Sequence, residues 1–191
     1  MEMILMKIAC LLADGFEDIE AIGTTAILRR SGMQVDYISV MNQKSQTGSF
    51  NTQVMTDKML KEVKASDYDG LFIPGGRQAS FLRSNQSVLK IVKDFHDQNK
   101  WLFAICAGPT VLGVLGLLDG LEYTSFPTTE EYMQKGIKIN QPAVWTDKII
   151  TGAGAGAVTE FALKIIEAIQ GVNQAKLIKE RILFRVFEYR S

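Results

Sequence analysis

The chain carries no surplus of charge: 21 basic residues balance 21 acidic ones over 191 positions, and no run of Lys or Arg is dense enough to track a phosphate backbone. No nucleic acid is therefore expected as a partner. Histidine is nearly absent, with His96 alone, and cysteine occurs only at Cys10 and Cys106. So few ligands, so far apart, exclude the usual zinc site and a disulfide framework, so no metal is expected and a reducing, cytoplasmic location is the simplest setting. No window reaches the roughly 20 apolar residues that cross a bilayer, so no membrane is expected. The apolar start, residues 1–12, carries Glu2 and Lys7 and no small-residue cleavage site, and it reads as a strand rather than a signal peptide. Four prolines and 47% apolar residues argue against disorder and fit one domain over residues 1–191.

What is present is alternation. Residues 4–12, 35–40, 69–73 and 102–106 read as buried strands. Helices are predicted over 16–32, within 81–99 in two pieces, over 109–117 and over 158–169. Between them lie a polar turn at 42–48, a strand at 50–55, a short helical piece at 59–63, another at 128–135, a strand or hairpin at 143–150, and a final helix within 175–191. Strands alternating with helices predict an α/β fold with an open, mostly parallel sheet and helices on both faces. In such sheets ligands bind outside the carboxyl ends of the strands.

Three features fall on that edge. Leu102-Phe103-Ala104-Ile105 ends in Cys106, with Gly108 and Pro109 just beyond, which is the pattern of a nucleophile elbow leading into a helix. The N–H groups and dipole of that helix predict a lowered thiol pKa. The alternative is a small buried hydrophobe, which is the reading given to Cys10 in mid-strand. Gly75-Gly76, after Pro74, exposes backbone N–H groups that suit an anion or an ordinary flexible turn. Glu20 lies near the buried stripe of the first helix and close to the end of the first strand, the alternative being a partly exposed first-turn acid, whereas Glu17 and Asp18 read as solvated first-turn acids. His96 follows Asp94-Phe95 on a polar helix face and reads as a surface residue. Gly152, Gly154 and Ala157 match a dinucleotide fingerprint in form, but no acidic residue follows at the required distance of about 20 residues, so close packing explains them and no cofactor is expected.

The segments Ala13-Asp14-Gly15-Phe16-Glu17-Asp18-Ile19-Glu20, Leu28-Arg29-Arg30-Ser31-Gly32, Ile73-Pro74-Gly75-Gly76, Ala104-Ile105-Cys106-Ala107-Gly108-Pro109-Thr110 and Glu160-Phe161-Ala162-Leu163 together resemble the DJ/ThiJ/PfpI superfamily, in the branch of the parkinsonism-associated protein deglycase. The resemblance implies a flavodoxin-like three-layer sandwich, of the class I glutamine amidotransferase-like group, usually as a homodimer. It implies Cys106 as an oxidisable thiol, Glu20 as the carboxyl touching it, and the N–H groups of Gly76 and Ala107 as an anion pocket, lined by Gly75, Phe126, Pro127, Gly154 and Ala155. Many relatives carry histidine before the proline where this chain has Phe126, and the protease-like branch has histidine where this chain has Ala107. A Cys-His hydrolase is thereby disfavoured. The family's basic residue in the hairpin after the second strand is replaced near Phe50. The leading expectation is a cytosolic stress-response protein whose Cys106 senses oxidants and reactive carbonyls; the alternatives are a cofactor-independent glyoxalase or deglycase using Cys106 and Glu20, and a redox-regulated chaperone.

Overall fold

The apolar runs do pair side by side. The computed structural model describes residues 6–184. Its first half comprises β1 (Lys7–Leu12), α1 (Thr24–Arg30), β2 (Gln34–Ser39), β3 (Ser45–Thr47), β4 (Gln53–Met55), β5 (Lys58–Met59), β6 (Gly70–Ile73), α2 (Gln78–Leu82) and α3 (Gln86–Asp97). The second half comprises β7 (Trp101–Ile105), α4 (Pro109–Gly113), β8 (Glu122–Tyr123), β9 (Ile137–Lys138), β10 (Ala143–Thr146), β11 (Ile149–Gly152), α5 (Val158–Gln170) and α6 (Val172–Arg181). The predicted first strand begins at residues 4 and 5, outside the described residues, as do residues 185–191 of the predicted final helix.

The main sheet has the order β10-β11-β7-β6-β1-β2-β5, parallel throughout except for β10 at the edge. Alternate side chains divide its core in two. Ala9, Leu11, Leu71, Ile73, Leu102 and Ala104 pack on one face with Val88, Val92 and Phe95 of α3. Ile8, Cys10, Leu12, Phe72, Phe103 and Ile105 pack on the other with Leu28 of α1, Phe161 and Ile165 of α5 and Ile178 of α6. With both faces covered, the central strands must be apolar at every position, which is why they read as continuous runs. The result is the expected three-layer, flavodoxin-like sandwich, and none of the helices among the described residues is long and apolar enough to cross a membrane.

Several boundaries differ from the prediction. The helix expected over 16–32 is a π-helical turn, Ile19–Gly23, followed by α1. The polar turn at 42–48 contains β3, which pairs with β4 in a separate two-stranded ribbon, and Phe50 lies in its turn. The helical piece at 59–63 is a 3-10 turn at Leu60–Glu62, the one at 128–135 a 3-10 turn at Glu130–Tyr132, and α4 ends at Gly113 rather than near 117. Short polar segments lack the apolar periodicity that distinguishes these cases.

From β1 the chain passes to β2 on one side, and later returns to place β6 on the other. This reversal opens a crevice at the carboxyl ends of β1 and β6. Gln78, wholly buried, stitches it: its Oε1 accepts the Ala13 N–H at 2.7 Å and its Nε2 donates to the Pro74 carbonyl at 3.0 Å. Replacing it by Leu strands two buried backbone groups, so Gln78→Leu is expected to lower stability by about 2–4 kcal/mol in urea denaturation. A change within about 0.5 kcal/mol would show that the stitch is not needed.

Candidate active site

Past Leu12 the chain turns through Gly15 into the π-helical turn, whose wider winding is a frequent mark of functional positions. Here Glu20 is fully buried while its neighbour Ile19 is 58% exposed. The Glu17 carboxylate accepts the Glu20 N–H at 2.7 Å. Asp18 is not the solvated cap expected of it. It is buried, and it accepts the N–H groups of Phe50 at 3.0 Å and Thr52 at 3.1 Å, tying the β3–β4 ribbon to this edge. Burial works against its ionisation, but the hydrogen bonds from Thr52 and Phe50 outweigh it and hold the carboxyl below its ordinary value.

Across the crevice, β7 ends and Cys106 follows with φ of 64°, in the left-handed region that a β-carbon resists. Its backbone is pinned on both sides: the N–H donates to the Gly152 carbonyl at 2.9 Å, and the carbonyl accepts the Phe126 N–H at 2.9 Å. The elbow can be this tight because of Gly108, where a β-carbon would lie 2.2 Å from the Ile73 carbonyl oxygen. At Gly75, too, only hydrogen fits. A β-carbon there would come within 2.7 Å of both the Cys106 Cβ and Glu20 Oε2.

These constraints bring the thiol, the carboxyl and the glycine pair together. Glu20 Oε2 accepts the Gly75 N–H at 2.8 Å, while Oε1 is buried with no hydrogen-bond partner of standard geometry. The carboxyl lies against the Cys106 thiol, and the Ala107 and Gly76 N–H groups donate toward the sulfur. Burial, reinforced by Glu17, raises the Glu20 pKa to about 7 against opposing hydrogen bonds from Cys106 and Gly75. Burial, then the charge and hydrogen bond of Glu20, push the Cys106 thiol up to about 12. This corrects the expected low thiol pKa: α4 is only five residues long, and the two N–H donors do not offset burial beside a carboxyl group. Cys10 is wholly buried and engaged with Thr25, and His96 is exposed on α3, as their residues suggested.

At the rim, Phe126 is 50% exposed. A β-carbon on Gly154 would lie 3.7 Å from its ring, so these two face one another. Ala155 is half-buried in the next turn, and Pro127 stands outward in solvent. Gln78 and Asp18 carry no sequence signal for their roles, since their partners are backbone groups of distant segments. A groove of about 610 Å³ opens elsewhere, lined by residues that include Met41, Met59, Leu60, Phe81 and Ile91, and none of the residues above belongs to it.

Because the folded state binds the Glu20 proton more tightly than the unfolded chain does, its contribution is complete below pH 4.5 and is lost as pH rises through about 7. Relative to Glu20→Gln, the wild type is expected to lose on the order of 3 kcal/mol in urea denaturation between pH 4.5 and 8. Parallel pH profiles for the two proteins would contradict a raised pKa. Gly75→Ala is expected to destabilise by about 1–3 kcal/mol, and, because the hydrogen bonds from Cys106 and Gly75 hold the Glu20 pKa down, weakening them should move the loss of stability to higher pH. An unshifted profile in Gly75→Ala would mean that the pair tolerates the extra methyl group.

Residues 6–168 match the DJ-1/PfpI family. The chain is 29% identical to the Parkinson disease protein 7 homolog of Danio rerio over 180 residues, covering 92% of this chain and 95% of that protein. It is 32% identical to the glutathione-independent glyoxalase DJR-1.2 of Caenorhabditis elegans, over 81% of this chain and 83% of that one. The structure of oxidized Toxoplasma gondii DJ-1 superposes with a TM-score of 0.89 at 31% identity, covering 94% of this chain and 99% of that chain. With the family match spanning most of its length, and an α/β sandwich that superposes on a DJ-1 structure, the chain belongs to the DJ-1/PfpI family.

Proposed function

We propose that the protein converts small 2-oxoaldehydes to 2-hydroxy acids without an added thiol cofactor, with Cys106 as nucleophile and Glu20 as the group that moves protons. The observation that carries this reading is a buried carboxyl of pKa about 7 set against a thiol, in a chain whose one histidine is elsewhere. A group titrating near neutrality is the best compromise between holding and releasing a proton. The naming of the nematode relative as a glutathione-independent glyoxalase supports the same chemistry.

The sequence of bonds follows from the groups present. Ionised Glu20 takes the thiol proton as Cys106 sulfur bonds to the aldehyde carbon, and the proton passes to the aldehyde oxygen, giving a hemithioacetal. N–H groups of Gly76 and Ala107 stabilise the oxygen while it is charged. Glu20 then removes the hydrogen on the sulfur-bearing carbon and returns a proton to the neighbouring ketone carbon by way of an enediol. The product is a thioester of a 2-hydroxy acid. Water cleaves it, releasing the acid and restoring the S–H bond, so no external oxidant or reductant is required.

The elevated thiol pKa favours this reading over oxidant sensing, because oxidation follows thiolate character and a thiol held near 12 is mostly protonated. Oxidant sensing remains the second reading on one observation: donors already directed at the sulfur would also hold the oxygens of a sulfinate.

Methylglyoxal consumption and lactate formation, measured without glutathione, test the proposal. Cys106→Ser and Glu20→Gln are each expected to lose about 100-fold or more of kcat/KM. In the wild type kcat/KM should rise with pH through about 7 as Glu20 ionises. Lactate formation that persists in Glu20→Gln, or a folded wild type with reduced Cys106 that makes none, would overturn it.

A further inference from the structure

Arg77 follows directly on Gly76, whose N–H faces the Cys106 sulfur, and it leads into α2. Its side chain is exposed and its stem packs against the turn after β1: a β-carbon on Gly15 would lie 3.2 Å from the Arg77 Cβ. The guanidinium donates from Nη2 to the Ser49 carbonyl at 3.3 Å, a long contact with the ribbon turn that Asp18 holds down.

Four acids crowd this edge, and each is already engaged with a backbone N–H. Asp14 accepts from Thr47, Glu17 from Glu20, Asp18 from Phe50 and Thr52, and Glu20 from Gly75. Among the described residues Arg77 has no carboxylate partner. A guanidinium offers five N–H donors in a planar fork, so one long bond to a carbonyl leaves most of them uncommitted. That fork matches a carboxylate bidentately, and exchanging a carbonyl contact for a charged one is favourable.

We propose that Arg77 is the anion-recognising side chain at the mouth of this site, selecting 2-oxoaldehydes that carry a carboxylate at the end remote from the aldehyde. The inference rests on the carbonyl chemistry proposed above. In it, Gly76 and Ala107 serve the reacting oxygen and Arg77 serves the far end of the substrate.

Iodoacetate and iodoacetamide modify the same sulfur and differ in carboxylate against amide, so their rate ratio at Cys106, followed by mass spectrometry, reads anion recognition without turnover. The ratio of iodoacetate to iodoacetamide rates is expected to fall about fivefold or more in Arg77→Met, to recover in part in Arg77→Lys, and to shrink in the wild type as salt is added. An equal ratio in wild type and Arg77→Met overturns the assignment. With turnover, kcat/KM for 4,5-dioxopentanoate relative to methylglyoxal should fall by a similar factor in Arg77→Met, and an unchanged ratio overturns the substrate class. If the wild type isomerises neither dicarbonyl while the alkylation ratio still responds to Arg77, the carbonyl chemistry fails and the anion role stands.

Discussion

Two acids share one crevice in which two negative charges are not tolerated together. Burial raises the cost of ionising both; Glu20 adds to that cost at Cys106, while the hydrogen bond from Cys106 only partly offsets it at Glu20. Much of the local architecture can be understood as what holds that pair at close range. Gly75 lets the thiol and the carboxyl approach where any side chain would intrude, and its own N–H gives the carboxyl one partner. Gln78 joins the ends of β1 and β6 so that the crevice keeps its width. The strain at Cys106 persists because two backbone hydrogen bonds, to strand β11 and to the Phe126 segment, fix the elbow from opposite sides.

The position of the pair follows from topology rather than from any local motif. Glu20 follows β1 and the glycine pair follows β6, and these are the strands between which the winding direction reverses. Cys106 comes from β7, one strand further along, so a short strand and a five-residue helix are enough to deliver it to the same edge. Such an arrangement keeps the reactive groups on the ends of rigid strands. The ribbon of β3 and β4, which contributes little apolar area, is held instead by polar contacts from Asp14 and Asp18.

The sequence made the central strands and the two faces of the sheet legible, because strands buried on both sides leave uninterrupted apolar runs such as Ile8 to Leu12 and Leu71 to Ile73. It also brought Glu20, Gly75, Gly76 and Cys106 to one edge through their shared place after strand ends. The β3–β4 ribbon was less legible, since three-residue polar strands carry almost no periodicity. Asp18 was misread for a physical reason: an acid in the first turn of a helix looks the same in sequence whether water or another segment's N–H groups satisfy it. The direction of the Cys106 pKa was misread in the same way. A helix terminus is a local feature, while burial and an opposing carboxyl are tertiary, and at this site the tertiary contributions are larger.

The shortage of histidine then has chemical content. An imidazole beside a cysteine stabilises the thiolate by becoming positive, so such a pair rests charged and attacks at once. A carboxyl beside a cysteine rests with at most one negative charge between them, and the thiol ionises only as the carboxylate takes its proton. Such a pair suits reactions in which the proton removed is returned to the same molecule. Hydrolysis of an amide asks for more, since the amine is a poor leaving group that must be protonated to depart, and water must then be activated to release the acyl group. Proton transfer between adjacent carbons of a captured aldehyde needs only one group that gives back what it takes, and Glu20, buried and titrating near neutrality, has that property.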